Sequence, residues 1–205
     1  MNIKKLIKKK FIIPENDVPP TVLRTRGVRR NKATRDVIVE IVGECGFKYG
    51  VEVGCLKAGF SIKLIRSMGD DGKLMLVDPW LAYERHSDST AQSFYEAAMD
   101  NLEKTGCKGN AIINRRSSLD AVKEIKDGSL DFVYIDGCHD FNNAVMDIVS
   151  WAPKVKSGGI VSGHDYYHGP DFGVIQAVDA YTRCNHIDEW YITREGVPSF
   201  FWIQK

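Results

Sequence analysis

From Thr34 onward the chain alternates short β-rich apolar runs with segments whose apolar residues recur at helical spacing, and this alternation restricts the fold more than any other feature. Val37, Ile38, Ile41 and Val42 predict a helix that begins after Thr34, a fair N-cap, and stops at Gly46. Gly50-Val51-Glu52-Val53-Gly54 reads as a short buried strand. Ile62, Leu64, Ile65 and Met68 predict a helix ended by Gly69, and Lys73 to Asp78 a second strand. The same reading gives helices over 90–105, 118–126, 140–152 and 172–183, with strands at 110–113, 131–136 and 158–162. Two final β-rich runs, 190–193 and 199–203, flank Arg194-Glu195-Gly196-Val197-Pro198, which suits a hairpin.

Parallel neighbours need crossover helices, so this order predicts a doubly wound α/β fold. The expectation is a Rossmann-like sheet of about seven strands, mostly parallel, with an antiparallel C-terminal hairpin strand. Ligands of such sheets bind beyond the carboxyl ends of the strands, where strand order reverses. Those ends are Gly54, Asp78, Asn114 to Ser118, Asp136 and Gly163 to Asp165.

Composition sets the outer limits. With 205 residues, 43 % hydrophobic and 27 % charged, the chain fills one core of ordinary size, which excludes a disordered chain or a disulfide-stapled miniprotein. The net charge of +1 hides an asymmetry: residues 1–35 hold eleven Lys/Arg against Glu15 and Asp17, and the remainder carries a net −8. A basic N-terminal arm (1–33) is therefore expected to precede a mildly acidic domain (34–205), with Pro14, Pro19 and Pro20 breaking the arm into irregular or extended pieces. Its apolar stretch, Phe11 to Ile13, is too short for the core of a signal peptide, and no apolar run approaches the roughly 20 residues that cross a bilayer. The five cysteines are odd in number and widely spaced without a CxxC pair, which suits reduced thiols and a cytoplasmic location. The arm suits a solvated or docking element of a homo-oligomer. Behind that default reading come contact with nucleic-acid phosphate and, third, with anionic lipid through a basic amphipathic turn of Ile3, Leu6 and Ile7 among lysines. No nucleic-acid-reading module accompanies it.

Chemistry gathers at the strand ends. Glu52 stands among valines, where a buried acid needs a cation or donors, and a ligand's ammonium would serve. Gly54 allows close backbone approach at the start of a helix, although Leu56 stands where GxGxxG requires glycine and no P-loop Lys follows. Asp78, twenty-four residues after Gly54, occupies the position of a ribose-binding carboxylate. Asp136-Gly137-Cys138-His139 and Gly163-His164-Asp165-Tyr166 close two further strands. Asp136, His164 and Asp165 are placed to converge on one divalent ion, with His139 one helical turn away as a base. Carboxylates favour Mg²⁺, and an imidazole ligand shifts the preference toward softer first-row metals. Trp80 to His86 forms a candidate cap over a polar ligand, with Glu84 as a further oxygen donor, and Tyr166, Tyr167 and His168 are candidates to line an acceptor pocket.

The segments VEVG, VDPW, DFVYIDGCHDF and GGIVSGHDY, together with the hairpin tail, resemble class I S-adenosylmethionine-dependent methyltransferases from about Tyr49 to the C-terminus. The closer likeness is to the small-molecule O-methyltransferase branch that includes macrocin-type sugar methyltransferases. Catechol O-methyltransferases and cephalosporin-hydroxylase-like proteins are more distant. The resemblance implies that Glu52 and Gly54 contact the methionine portion of the cofactor, that Asp78 holds the ribose, and that Ser117 and Ser118 lie near the adenine. It also implies that Asp136 and Asp165 are metal carboxylates and His139 the general base, with His164 standing where many relatives carry another acid. The expected reaction is O-methylation of a sugar-like or other small polar hydroxylated acceptor, with Mg²⁺ beside the acceptor oxygen. The rivals are a hydroxylase-like metal enzyme on the same fold, and a non-catalytic S-adenosylmethionine-binding scaffold with a basic recruiting arm. A nicotinamide-dependent oxidoreductase lacks its phosphate fingerprint here.

Overall fold

A computed structural model of the chain describes residues 3–12, 20–25, 33–81 and 87–205. Ile13, Pro14 and Pro19 of the arm, and Ala82 to His86 of the expected cap, Glu84 among them, lie outside the described residues.

In chain order the elements begin with α1 (Ile3–Lys10), β1 (Phe11–Ile12), β2 (Thr21–Val22), β3 (Arg24–Thr25) and α2 (Asp36–Cys45). Then come β4 (Tyr49–Val53), α3 (Gly59–Met68), β5 (Lys73–Val77), α4 (Asp88–Lys104), β6 (Ala111–Asn114) and α5 (Ser118–Ala121). The chain continues with β7 (Leu130–Ile135), α6 (Phe141–Trp151), β8 (Val155–Gly163), α7 (Val174–Cys184), β9 (Trp190–Ile192) and β10 (Phe200–Ile203). Eight strands form one sheet in the order β2-β9-β10-β8-β7-β4-β5-β6. The run β8-β7-β4-β5-β6 is parallel, and β10 is antiparallel to both β8 and β9. The chain leaves β4 toward β5 and β6, then returns to place β7 on the other flank of β4. The reversal puts a topological switch point between β4 and β5 on one side and β7 on the other, the place where open α/β sheets bind ligands.

The two faces of the sheet follow strand alternation. Leu74, Leu76, Phe132, Tyr134, Ile160 and Phe201 face one layer, where Ile38, Ile41, Leu64 and Ile65 of α2 and α3 cover them. Val51, Val53, Val133, Val161 and Trp202 face the other, covered by Ile148 and Trp151 of α6 and Ala177 and Val178 of α7. Helix α5 is shorter than its sequence pattern: Ser117 caps it by accepting the Asp120 amide at 3.2 Å, and after one turn the chain tightens into a 3₁₀ turn at Val122–Glu124.

The N-terminal segment differs most from its expectation. Helix α1 spends the apolar side of its lysine-rich turn inside the protein: Ile3, Leu6 and Ile7 are buried in the same cluster as Ile38 and Ile41. Its lysines sit outside, where Lys4 pairs with Glu189, and Lys10 pairs with Glu40 and Glu44. Beyond it, β2 adds an eighth strand to the sheet by pairing parallel to β9, with Thr21 opposite Tyr191 and the Leu23 amide donating to the Ile192 carbonyl at 2.9 Å. Over its described residues the segment is packed onto the domain because its apolar residues at i, i+3 and i+4 find an apolar surface there.

Leu6→Ala should therefore cost about 3 kcal/mol in urea unfolding of the full chain, the usual penalty for a buried Leu. Lys9→Ala, on the exposed side of the same helix, should stay within about 0.5 kcal/mol. Two equally small effects would mean that α1 is not docked in solution.

Candidate functional site

The site is built by backbone hydrogen bonds that run past the ends of the strands. The Gly54 amide donates to Val77 O (2.8 Å), the Asp136 amide to Val53 O (2.7 Å) and the His164 amide to Ile135 O (2.9 Å). These bonds bring the first residues after β4, β7 and β8 level with one another. Gly54 has φ +82°, and a Cβ there would lie 2.0 Å from the Asp136 carbonyl oxygen. Only glycine fits that approach, whether or not a second glycine follows. Gly163 is similarly pressed, since an added Cβ would meet the Phe200 ring at 2.5 Å.

Asp78 closes β5 beside Gly54. Its Oδ2 accepts the amides of Cys55 and Leu56, both at 3.0 Å, and its Oδ1 accepts the Trp80 amide at 2.8 Å. The carboxylate thus pins the loop after β4, with acceptor capacity left on Oδ1. Trp80 is buried against that loop and donates its indole N–H to Leu56 O at 2.8 Å. Leu56, Ala58, Trp80 and Asp165 all hold left-handed backbone conformations (φ 48°, 59°, 44° and 59°). Such conformations cost about 1–3 kcal/mol each and persist where surrounding contacts over-determine them.

Glu52 lies one pleat back, 2 % exposed, on the face that carries Tyr134. Ser61 of α3 donates its hydroxyl to Oε2. Burial raises the Glu52 carboxyl to about pH 8, with the Asp136 and Asp78 charges adding to the rise and Ser61 and Arg35 opposing it.

The side chains beyond β7 and β8 form one cluster. His164 Nδ1 lies 3.7 Å from Asp136 Oδ1 and 3.3 Å from Asp165 Oδ2, and His139 Nδ1 lies 3.3 Å from the same Asp165 oxygen. The Asp165 carboxylate therefore stands between two imidazoles. Burial lifts Asp136 to about 6, with Asp165 adding to the rise and His164 and Arg35 opposing it. Burial also opposes ionisation of Asp165, but the neighbouring imidazoles outweigh it and hold that carboxyl below its usual range. His164 goes up despite burial, because Asp165 and Asp136 face it. Donor atoms of Asp136, His164 and Asp165 lie within 4.8 Å of one another, close enough to share one cation, and two carboxylates with one imidazole are a sound donor set for a divalent ion. His139 stacks on Phe172, ring centroids 4.9 Å apart, and its carbonyl accepts the Gly173 amide at 2.8 Å. A small, partly open recess lies between His139, His164, Asp165 and the start of α7 at Val174.

Glu52, Gly54, Asp78, Asp136, His139, His164 and Asp165 thus meet at one rim. The two serines are placed differently. Ser117 is exposed and caps α5. Ser118 donates to Asp147 Oδ1 at 2.5 Å and accepts the Trp151 indole N–H at 2.8 Å, which ties it to α6. Tyr166 turns away to Asp179, to which it donates at 2.9 Å.

Arg35 is the residue that sequence reasoning missed. Its guanidinium reaches the rim from the N-terminus of α2, 3.6 Å from Asp136 Oδ2 and 4.7 Å above the Phe60 ring. In the sequence it is one more cation of a basic stretch, and no periodicity separates it from its neighbours.

An open parallel sheet with acids and a tight glycine turn at its switch point defines a Rossmann-like ligand-binding domain. A family model described as a methyltransferase domain, Methyltransf_24, matches residues 44–166, and the chain belongs to that family. Solved structures share the fold. An O-methyltransferase from Bacillus cereus in complex with SAH superposes with TM-score 0.63 at 17 % identity, covering 98 % of this chain and 84 % of that one. The O-methyltransferase TomG from Streptomyces achromogenes, involved in tomaymycin synthesis and solved with SAM, gives 0.62 at 13 % identity over 83 % and 79 % of the two chains. Cofactor-bound Rv0187 from MTB gives 0.62 at 16 % identity over 94 % and 84 %. A curated relative, the uncharacterized protein y4gI of Sinorhizobium fredii, is 28 % identical over 103 residues, which are 49 % of this chain and 11 % of that protein. The chain thus aligns with about a tenth of that relative's length. Among the described residues no helix is long and apolar enough to cross a membrane, and none of the five cysteines is in a disulfide.

Glu52 sets a pH dependence of known sign. Its folded-state proton is held to about pH 8, whereas the unfolded chain releases it near 4.5, so its contribution to stability falls as pH rises through that window. In the ligand-free protein, Glu52→Gln should remove a loss on the order of a few kcal/mol between pH 5 and 8, read as the difference between the two proteins' urea midpoints across that range. Parallel pH profiles would show that Glu52 is not a buried acid in solution.

Proposed function

We propose that this domain transfers a methyl group from S-adenosylmethionine to a hydroxyl of a small polar, sugar-like acceptor. The observation that supports this reading most is the meeting of the Glu52–Asp78 pair with the Asp136–His164–Asp165 cluster and His139 at one strand rim. Glu52 offers a buried acceptor for the cofactor's ammonium, and Asp78 offers the remaining lone pair of its Oδ1 to a ribose hydroxyl while it holds the loop that shapes the site. S-adenosylmethionine supplies an electrophilic methyl group, and a sulfonium cation is favoured beside a rim this rich in carboxylates.

A hydroxyl is a weak nucleophile near neutral pH, and this chain has the groups to activate one. Asp136, His164 and Asp165 would hold a divalent cation such as Mg²⁺, which lowers the pKa of a neighbouring hydroxyl. His139 is oriented for proton transfer: Asp165 faces its Nδ1, leaving Nε2 to take the acceptor's proton, and Phe172 fixes the ring plane. Asp165 balances the imidazolium that forms. Val174 and Phe200 give the recess beside His139 an apolar wall.

Incubation of the full chain with S-adenosylmethionine, Mg²⁺ and a panel of hydroxylated sugars should yield S-adenosylhomocysteine only when an acceptor is present. His139→Ala should lower that turnover about 10²- to 10⁴-fold while leaving cofactor affinity unchanged. Unchanged turnover would remove His139 from the base role, and lost cofactor affinity would make it part of the binding pocket instead.

A further inference from the structure

Resting on the S-adenosylmethionine reading above, we propose that Arg35 grips the α-carboxylate of the cofactor's methionine end and, with Glu52, forms a receptor for its zwitterionic head group. The guanidinium is built into the rim. It stacks 4.7 Å from the Phe60 ring centroid, lies near the Tyr134 hydroxyl and keeps about a third of its side chain exposed. Tyr134 is in turn fixed by Ser199 at 3.0 Å.

The guanidinium fork is only loosely paired. Among the described residues the nearest carboxylate oxygen, Asp136 Oδ2, is 3.6 Å away, beyond a good charge-assisted hydrogen bond. A planar fork with free N–H donors at the mouth of a cleft suits a two-oxygen anion. Charge narrows the choice of anion. Asp78 and Asp136 lie around the same point, so a bare anion would be opposed by their charges and would leave the buried Glu52 carboxyl without a cation. An α-amino acid head group carries both signs. Its carboxylate meets Arg35, and its ammonium meets Glu52, whose Oε2 takes the Ser61 hydroxyl.

The chain's two ends hold Arg35 in place. Its own amide donates to Glu195 Oε1 at 2.6 Å, the same oxygen that accepts Thr193 Oγ1 at 2.8 Å, and the Arg194 amide donates to Ala33 O at 2.7 Å. The loop between β9 and β10 thus fixes the backbone from which the guanidinium reaches inward. Arg35 lies outside residues 44–166, the span that the family model matches.

The test compares S-adenosylhomocysteine with its analogue lacking the carboxylate, S-adenosyl-3-thiopropylamine, by calorimetric titration of the full-length wild type, Arg35→Gln and Arg35→Lys. Reading the ratio of the two affinities within each protein makes the result independent of the folded fraction. The wild type should prefer the carboxylate-bearing ligand about 10- to 100-fold, Arg35→Gln should lose most of that preference with affinity for the amine analogue unchanged, and Arg35→Lys should fall between. Equal losses for both ligands would show that Arg35 only balances Asp136, and an unchanged ratio would show that it touches neither; both overturn the proposal. A wild type that binds S-adenosylhomocysteine without preferring it over the amine overturns the proposal alone, whereas one that binds neither removes the cofactor reading beneath it.

Discussion

The whole site depends on how closely two strand ends approach. The backbone at Gly54 lies so near the Asp136 carbonyl that no side chain fits between them, and the Asp136 amide is bonded to Val53 O at 2.7 Å. That contact fixes where β4 and β7 stop relative to one another. It thereby sets the spacing between Glu52 behind the rim, Asp78 on one flank and the Asp136–His164–Asp165 cluster on the other. A β-carbon at Gly54 would push these groups apart before it touched any ligand. The glycine's first role is thus to let the sheet close, and ligand access follows from it.

Gathering several acids in one cleft raises an electrostatic problem, which the fold answers with groups of three kinds. Backbone amides of Cys55, Leu56 and Trp80 satisfy Asp78 without introducing a net charge. Imidazoles at His139 and His164 flank Asp165 and keep it ionised. Arg35 stands between Asp136 and the interior, where Glu52 stays protonated well above the ordinary carboxyl range because burial dominates over that one cation. An unliganded rim of this kind stores unfavourable charge, and a ligand bearing an ammonium or a sulfonium relieves it. Affinity and stability are coupled in this way through the same side chains.

Much of this was legible in the sequence because the central strands are long and regularly patterned. The valines around Glu52, the run from Leu74 to Asp78 and the segment 131–136 all announce buried strands, and their terminal acids fall at the rim by simple chain order. The edge was not legible. Strand β2 is two residues long and exists only because β9 offers it a partner, so no local periodicity marks it. Helix α1 looked like a free basic turn because its apolar side carries no sign of what it packs against. Ser118 makes ties of the same kind: its hydroxyl is committed to Asp147 and Trp151, partners some thirty residues away that only the folded chain brings near. Arg35 is the clearest case, since its importance comes entirely from Tyr134, Asp136 and Glu195, none of them close in sequence.

The central claim is that this rim receives a charged sulfur nucleoside. Calorimetric titration of the purified chain with S-adenosylmethionine, with NAD as the control ligand, tests it most directly. Saturable one-to-one binding of S-adenosylmethionine, with no heat from NAD, is the expected result. A flat titration with the sulfonium ligand, or binding of NAD in its place, would contradict the claim.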